Sequence, residues 1–451
     1  MIKEKTKELP RLKRITLSNF KSIGTEASLN IRPLTIFAGV NSSGKSSFMQ
    51  PLLLMKQTLE SQSDPEGALR MDGPNAHFTT SEQILHKDQK GKQAETFSVR
   101  LETDFNHYIE FYFTRELGKG FDISLMRFNV FGHEVSLVPK MNQKDILATI
   151  PKLWSVLNFD FNHVKNEPVW KIERNRCFLD VSVSRRKDHE PFEMPRVFSQ
   201  KYLFSPLLMG LIHLPGLRGN PERNYPKVAT GPLFPGRFEQ YAASVVSDWQ
   251  EKKDPRLQIL GEQLGKMGLA RNVTANKIAE TQYELKVGRL PHGNADGKTD
   301  VADDMVSIAD VGFGVSQTLP VLVALLAAEQ GQLVYLEQPE IHLHPNAQRN
   351  MAHAFKQAVK RGAITIIETH SSILLREIQT LVAKGELRPE DVALHWFSRG
   401  DDGETVVDSA ELDEHGAFGA WPVDFDETEM AAEGDYLDAV ENRIKQHAER
   451  N

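Results

Sequence analysis

The stretch Phe37–Phe48 reads FAGVNSSGKSSF: a glycine, four residues, then Gly-Lys-Ser. Gly39 to Ser46 satisfies the G-x-x-x-x-G-K-S pattern of a phosphate loop. The residue types explain the chemistry. Gly39 and Gly44 permit a tight turn, and the backbone N–H groups of the loop, with Asn41, Ser43 and Ser47 in the same cradle, face the phosphates. Lys45 reaches the β and γ oxygens, and the Ser46 hydroxyl is placed to ligate Mg²⁺. Two strands, Leu12–Phe20 and Leu29–Phe37, are expected upstream. The helix expected downstream, SSFMQPLLLMKQTLE, would set its positive end against the same anion. Pro51 falls inside that helix and should kink it or cost it a hydrogen bond. Kinases, GTPases, helicases and transporters all use such a loop, so it defines a ligand class only.

The distant half of the chain narrows the choice. GQLVYLEQPEIHLHP, Gly331–Pro345, holds a short buried-type strand that ends in Glu337. This is the pattern that places a carboxylate at the C-terminal edge of a parallel sheet, where it can hold Mg²⁺ directly or through water. An amphipathic helix follows, with Pro345 in its first turn and Ala347, Met351, Ala354, Phe355, Ala358 and Val359 on one face. A second buried strand, Ala363–Ile367, ends at Glu368-Thr369-His370, so two strands deliver polar residues to one edge. Upstream, DVGFGVSQTLPVLVALL, Asp310–Leu326, opens a long apolar helix behind two glycines, with Ser316 as its candidate N-cap. One nucleotide does not need two anion-binding helix starts in one subunit. Two subunits facing head to tail do, each clamping the other's γ-phosphate in an isologous dimer.

Bulk properties bound the rest. The chain has 451 residues, 54 basic against 61 acidic, for a net charge of −7. That argues against a whole-surface grip on nucleic acid and leaves room for a local basic patch. The single cysteine, Cys177, excludes a disulfide framework and a multi-cysteine zinc site, and is read as buried and inert. The N-terminus lacks the apolar core of a secretion signal. The longest clean apolar run, Val321–Ala328, is far short of the roughly 20 residues of a membrane span. A cytoplasmic protein with no membrane contact is expected.

In this order, the loop, FGVSQ, LEQPEIHLHP and ETHSS resemble the ABC-type ATPase heads of the RecF, SMC and OLD group. The nearer likeness is to stand-alone prokaryotic AAA ATPases with the E-Q-P-E-I-H-L-H-P form, of the kind found in anti-phage defence systems. It extends to LPGLRGNPERNY, TGPLFPG and the terminal WPVDFDE, Trp421–Glu427. The resemblance implies ATP and Mg²⁺ as ligands. It gives Lys45 and Ser46 to phosphate and metal, and Glu337 to the Mg²⁺ side. Gly314, Ser316 and Gln317 form the signature that reaches the partner's nucleotide, and His370 is the switch histidine. Gln83 takes the lid position by a looser match. Gln338 stands where the general pattern has the glutamate base, and an amide cannot accept a proton. Either Glu340 supplies the base, or hydrolysis is slow and the nucleotide-bound dimer long-lived.

The fold expected is α/β, a P-loop NTPase of ABC type. It would have a mixed sheet with flanking helices, an antiparallel β lobe that includes Phe97–Glu116, an inserted α+β region and a short C-terminal extension. Its boundaries are 1–119 for the N-terminal half of the head, 120–210 for the insertion, 211–400 for the C-terminal half and 401–451 for the extension. Lys171, Arg174, Arg176, Arg185, Arg186 and Lys187 form a basic cluster in the insertion, read either as a phosphate-backbone contact or as a solvated strand face. Arg218 and Arg223 are open between contact to nucleotide or partner and plain loop positions. The leading functional reading is an ATP-driven switch, dimeric or larger, that controls a separate effector such as a nuclease or toxin. The alternative is a DNA repair or recombination ATPase that contacts DNA itself. A transporter subunit is disfavoured by the missing Leu-Ser-Gly-Gly-Gln signature.

Overall fold

The computed structural model describes residues 10–104, 106–130, 132–149, 169–187, 190–289 and 304–419. Its central sheet runs in the order Ile212–Leu214, Leu333–Glu337, Ile364–Glu368, Leu34–Gly39, Val392–Arg399, Thr405–Ala410. The first five strands are parallel and the last is antiparallel. Leu34–Gly39 thus lies between two strands from the far end of the chain, with Glu368 opposite Phe37 on one side and Phe397 opposite Gly39 on the other. The N-terminal segment and the C-terminal half share one sheet.

Both faces of this sheet are covered, which is why its strands read as near-continuous apolar runs. Alternation along the strand splits the core in two. Leu34, Ile36, Ala38, Val334 and Leu336 face one core, built with the helices Ala242–Lys252, Pro255–Lys266, Phe313–Ala327, Pro345–Lys360 and Ser372–Ala383. Phe37, Leu333 and Tyr335 face the other, shared with the helix Gln50–Leu59 and an antiparallel sheet. That second sheet contains Thr96–Thr103 and Tyr108–Glu116, where strands were expected, and continues through Gly120–Val130 and His133–Leu137. It therefore runs past residue 120, the expected start of the insertion. Beyond it, Val169–Asn175, Phe178–Lys187 and Glu190–Phe198 form a three-stranded sheet, and Phe178 packs edge-on against Phe111 at 5.3 Å. Among the described residues no helix is long and apolar enough to cross a membrane.

Two local expectations are corrected. The segment after the loop is not one helix kinked at Pro51. A 3-10 turn, Lys45–Phe48, hands over at Met49 to the helix Gln50–Leu59, with Pro51 in its first turn. There the missing N–H has no intrahelical role, so proline is tolerated. Ser316 is not an N-cap. Gly312 caps the helix Phe313–Ala327, and the Ser316 hydroxyl, one turn inside, donates back to the Phe313 carbonyl at 3.2 Å. Val311 and Gly312 are extended, and helical geometry begins immediately after them.

Within the basic cluster, Arg174 and Arg176 are braces. Arg174 donates to the Gly67 carbonyl at 2.9 Å and faces Asp64 and Asp122, while Arg176 donates to the Thr58 carbonyl at 2.7 Å. The side chains of Arg185, Arg186 and Lys187 fall outside the described residues, as do Trp421–Glu427 and the tail. Cys177 is buried, and desolvation pushes its thiol up to about 12.

A buried cation joins the two halves. Lys56 is fully buried, pairs with Glu60 and donates to the carbonyls of Met209 (3.3 Å) and Phe234 (3.1 Å). Glu60 also accepts from the Gly236 N–H at 3.0 Å. Removing one partner of a buried pair leaves an uncompensated charge, at a cost of about 3–5 kcal/mol. Urea unfolding of Glu60→Leu is expected to show a loss of that size, most of it recovered when Lys56→Met is added. An unchanged midpoint in the single variant would contradict this account.

Candidate functional site

The phosphate loop grows directly from the loop strand. Gly39 (φ 132°) and Gly44 (φ 101°) both lie where L side chains are strained. A Cβ on Gly39 would sit 2.0 Å from the Phe397 carbonyl oxygen, and one on Gly44 would sit 2.3 Å from Thr405 Oγ1. The glycines are required by conformation and by space. Ser43 is buried and donates to the Val40 carbonyl at 2.8 Å, and Thr405 Oγ1 donates to the Ser43 carbonyl at 2.8 Å. Asn41 is exposed at the tip, and the buried Ser47 closes the turn onto the Gly44 carbonyl at 3.0 Å. Lys45 donates to the carbonyls of Gly39 (3.1 Å) and Val40 (2.7 Å). Burial lowers the affinity of its ammonium for the proton, and the Glu368 carboxylate opposes that.

Two carboxylates meet at the C-terminal edge. Glu337 and Glu368 end adjacent parallel strands in direct register. The strand that ends in Glu368 lies between the acid strand and the loop strand, so Ser46 Oγ donates to Glu368 Oε2 at 2.8 Å rather than to Glu337. Tyr335 donates its hydroxyl to the other Glu368 oxygen. Burial, with the neighbouring Glu337 charge, pushes the Glu368 carboxyl up to about 7, against the pull of the Tyr335 and Ser46 hydroxyls and Lys45. Glu337 has different neighbours. Its oxygens lie 3.2 Å from His213 Nε2 and 3.2 Å from the Gly216 N–H. Burial works to raise it, but these bonds prevail and hold it below the usual carboxylate range. His213 is buried, stacks on Tyr335 with centroids 5.3 Å apart, and is pushed toward the neutral imidazole by desolvation.

His370 stands beside the loop. Burial and the Lys45 charge lower its affinity for the proton, and a hydrogen bond with the Gly39 backbone opposes them. Its backbone N–H donates to Glu340 Oε1 at 2.9 Å, the oxygen that also accepts from Thr369 Oγ1 at 2.7 Å. Glu340 is 8% exposed, and its Oε2 has no hydrogen-bond partner among the described residues. Burial raises its carboxyl above the ordinary value despite those two donors. Gln338, at φ 43°, shares a cleft of about 450 Å³ with Glu340 and His370. Gly314, Ser316 and Gln317 occupy the first turns of the helix that starts at Phe313, and Arg218 bonds both the Gln317 carbonyl and the Glu337 carbonyl. Gln83 is engaged elsewhere: its Oε1 accepts from the Thr79 N–H at 2.8 Å, within a capping box.

The donor set suits a triphosphate with a hard divalent cation. Backbone N–H groups and an ammonium lie on the loop, and a hydroxyl and two carboxylates lie opposite. Among the described residues no three His, Cys, Asp or Glu side chains converge into a metal cage. Mg²⁺ is usually held by one or two protein oxygens together with substrate phosphates. Glu368, Tyr335 and His213 are the members that sequence reasoning did not assign. Glu368 ends a buried strand, and that position was the available signal; His213 lies in the middle of the short strand Ile212–Leu214.

Strand order, glycine loop and paired acids define the class: a P-loop NTPase with an ABC-type head. The chain belongs to the family described as "AAA domain, putative AbiEii toxin, Type IV TA system", which matches residues 34–376. No curated protein matches it. Among solved structures it is similar to an SMC head bound to the C-terminal winged-helix domain of ScpA, at 11% identity over 90% of this chain and 99% of that one (TM-score 0.47). The SMC head domain from Thermotoga maritima is similar at 11% identity over 89% and 100% (TM-score 0.39). The Smc head with an extended coiled coil bound to the C-terminal domain of ScpA, from Pyrococcus furiosus, is similar at 10% over 89% and 97% (TM-score 0.45).

Lys45→Ala is expected to abolish binding of a fluorescent ATP analogue while leaving the fold intact by circular dichroism. Gly39→Ala should lose binding and also at least about 3 kcal/mol of stability, because its methyl must displace a strand backbone. Full binding by either variant would refute the assignment of the loop.

Proposed function

We propose that the chain binds ATP with Mg²⁺, that two copies close head to tail around two nucleotides, and that the closed state controls a separate effector such as a nuclease or toxin, with anti-phage defence as the setting. One observation carries the nucleotide half of this reading: Lys45, the Ser46 hydroxyl and the register-paired Glu337 and Glu368 converge at one sheet edge. Lys45 and the loop N–H groups bind and orient the phosphates. Ser46, with Glu337 and Glu368, would hold the cation, which offsets phosphate charge when bound. His370, its backbone N–H braced by Glu340, would donate a hydrogen bond toward the γ-phosphate.

Assembly is supported by a second anion-seeking helix start that is not consumed by the loop of its own chain. Phe313, the first residue of that helix, is 51% exposed and lies against His342, and Leu217 nearby in the fold is 81% exposed. Exposed apolar groups flanking a polar site suit burial by a second copy. The family description, which names a toxin and a Type IV TA system, supports a role alongside a second component. The alternative, direct DNA contact, is weakened because Arg174 and Arg176 are committed to carbonyls and carboxylates of their own chain.

Slow turnover follows from Gln338 at the position of the base, since a positioned general base contributes about 10²–10⁴-fold. Gln338→Glu is expected to raise steady-state ATP hydrolysis by at least about tenfold. Wild-type hydrolysis at tens per second would overturn the slow-switch reading. Ser316→Arg should abolish ATP-induced dimers in sedimentation velocity while leaving ATP binding by the monomer. If both were untouched, the assignment of the signature would be wrong.

A further inference from the structure

The edge strand Ile212–Leu214 and the segment after it grip two elements far apart in sequence. Toward the acid strand, His213 and the Gly216 N–H hold the Glu337 carboxylate, and Arg218 Nη2 donates to the carbonyls of Glu337 (2.8 Å) and Gln338 (3.3 Å). Toward the signature helix, Arg218 Nη1 donates to the Gln317 carbonyl at 3.3 Å, and Gln317 Nε2 returns a bond to the Gly219 carbonyl at 2.8 Å. Four residues on, Arg223 makes a two-pronged pair with Asp310, at 2.7 and 3.0 Å. Asp310 precedes the Gly312 cap by two residues, and no side chain caps that helix start.

These contacts make the segment a strap. A guanidinium is planar and rigid, so one fork that bonds to carbonyls on two elements fixes their separation. Arg218 is only 8% exposed, and a buried cation resists losing its acceptors. The strap therefore holds the start of the signature helix at Gln317 through the buried Arg218, and the short turn that leads into its cap, at Asp310, through the exposed Arg223. Its other end rests on the carboxylate and backbone of the acid strand. Nothing else in the fold reaches both with side-chain bonds of this kind among the described residues.

We infer that residues 213–223, with Arg218 and Arg223 as positioning residues, transmit the placement of a subunit's own Glu337 end to its signature turn, and so couple nucleotide at one subunit's loop to that subunit's grip on its partner's nucleotide. This rests on the sandwich reading above. The coupling runs through contiguous bonds, acid to strap to helix start, with no gap between members. It also gives Arg223 a task within its own chain and not at the interface.

The exposed pair supplies the test, because charge reversal there does not empty the core. Arg223→Asp and Asp310→Arg are made singly and together in the full chain. Each is read by sedimentation velocity with a non-hydrolysable ATP analogue, by fluorescent ATP binding under monomeric conditions, and by thermal unfolding. Each single variant is expected to weaken nucleotide-induced assembly by about fivefold or more, with monomer binding within about twofold, and the double variant to restore assembly. Arg218→Met should uncouple more strongly, and if it does not fold the exposed pair still decides. Single variants that assemble as wild type would overturn the inference alone. So would a double variant that stays impaired, since Arg223 would then touch the partner directly. A wild-type chain that binds the analogue but does not assemble would remove the sandwich reading, and the inference with it.

Discussion

The backbone ladder on both sides of Leu34–Gly39 is the constraint on which the rest of the molecule depends. This strand is paired to Ile364–Glu368 on one side and to Val392–Arg399 on the other, so the phosphate loop springs from the middle of the sheet. Gly39 lies so close to the Phe397 carbonyl that no side chain fits. The loop's starting direction is thereby set by a strand from the other end of the chain. Lys45 and Ser46 inherit that direction, and Thr405 holds the loop at Ser43 from the same distant hairpin.

The acid pair illustrates how one edge can present two chemically different carboxylates. They end neighbouring strands in register, and two like charges so placed would oppose each other in a low-dielectric setting. Their surroundings separate them. Glu337 is stabilised as the anion by His213 and a backbone N–H, whereas Glu368 lies among hydroxyls in a fully buried position and is pushed up to about 7. The edge therefore carries one fixed negative charge, Glu337, and one adjustable charge, Glu368, the latter facing the Lys45 ammonium.

Loop, acids and histidine form one cluster, and the signature helix is held to it at a distance. Within the chain, apolar packing of that helix on the sheet is supplemented by a short polar segment with a buried arginine at its centre. Directional bonds of that kind transmit position, whereas apolar packing tolerates small slides. Such an arrangement suits the proposed sandwich, in which the two surfaces of one subunit would face different nucleotides.

Much of this was legible in the sequence. The glycine loop, the buried strands at Leu333–Glu337 and Ile364–Glu368, the amphipathic helix from Pro345 and the apolar helix before the acid strand are all local patterns, set by side-chain spacing and backbone preference. Position relative to other strands is not local. That Glu368, and not Glu337, meets Ser46 depends on which strand lies next to the loop strand, and long-range packing decides that order. Arg174 and Arg176 turned onto carbonyls follow from neighbours supplied by remote segments, whereas Pro51 at a helix start and Gly312 in place of Ser316 as the cap are local backbone features that residue spacing did not separate. The residue pattern by itself determined that a triphosphate loop, an acid edge and a second helix start exist. Only the tertiary structure decided which side chains face one another across them, because a strand's register partners are chosen by the burial of the whole sheet and not by its own few residues.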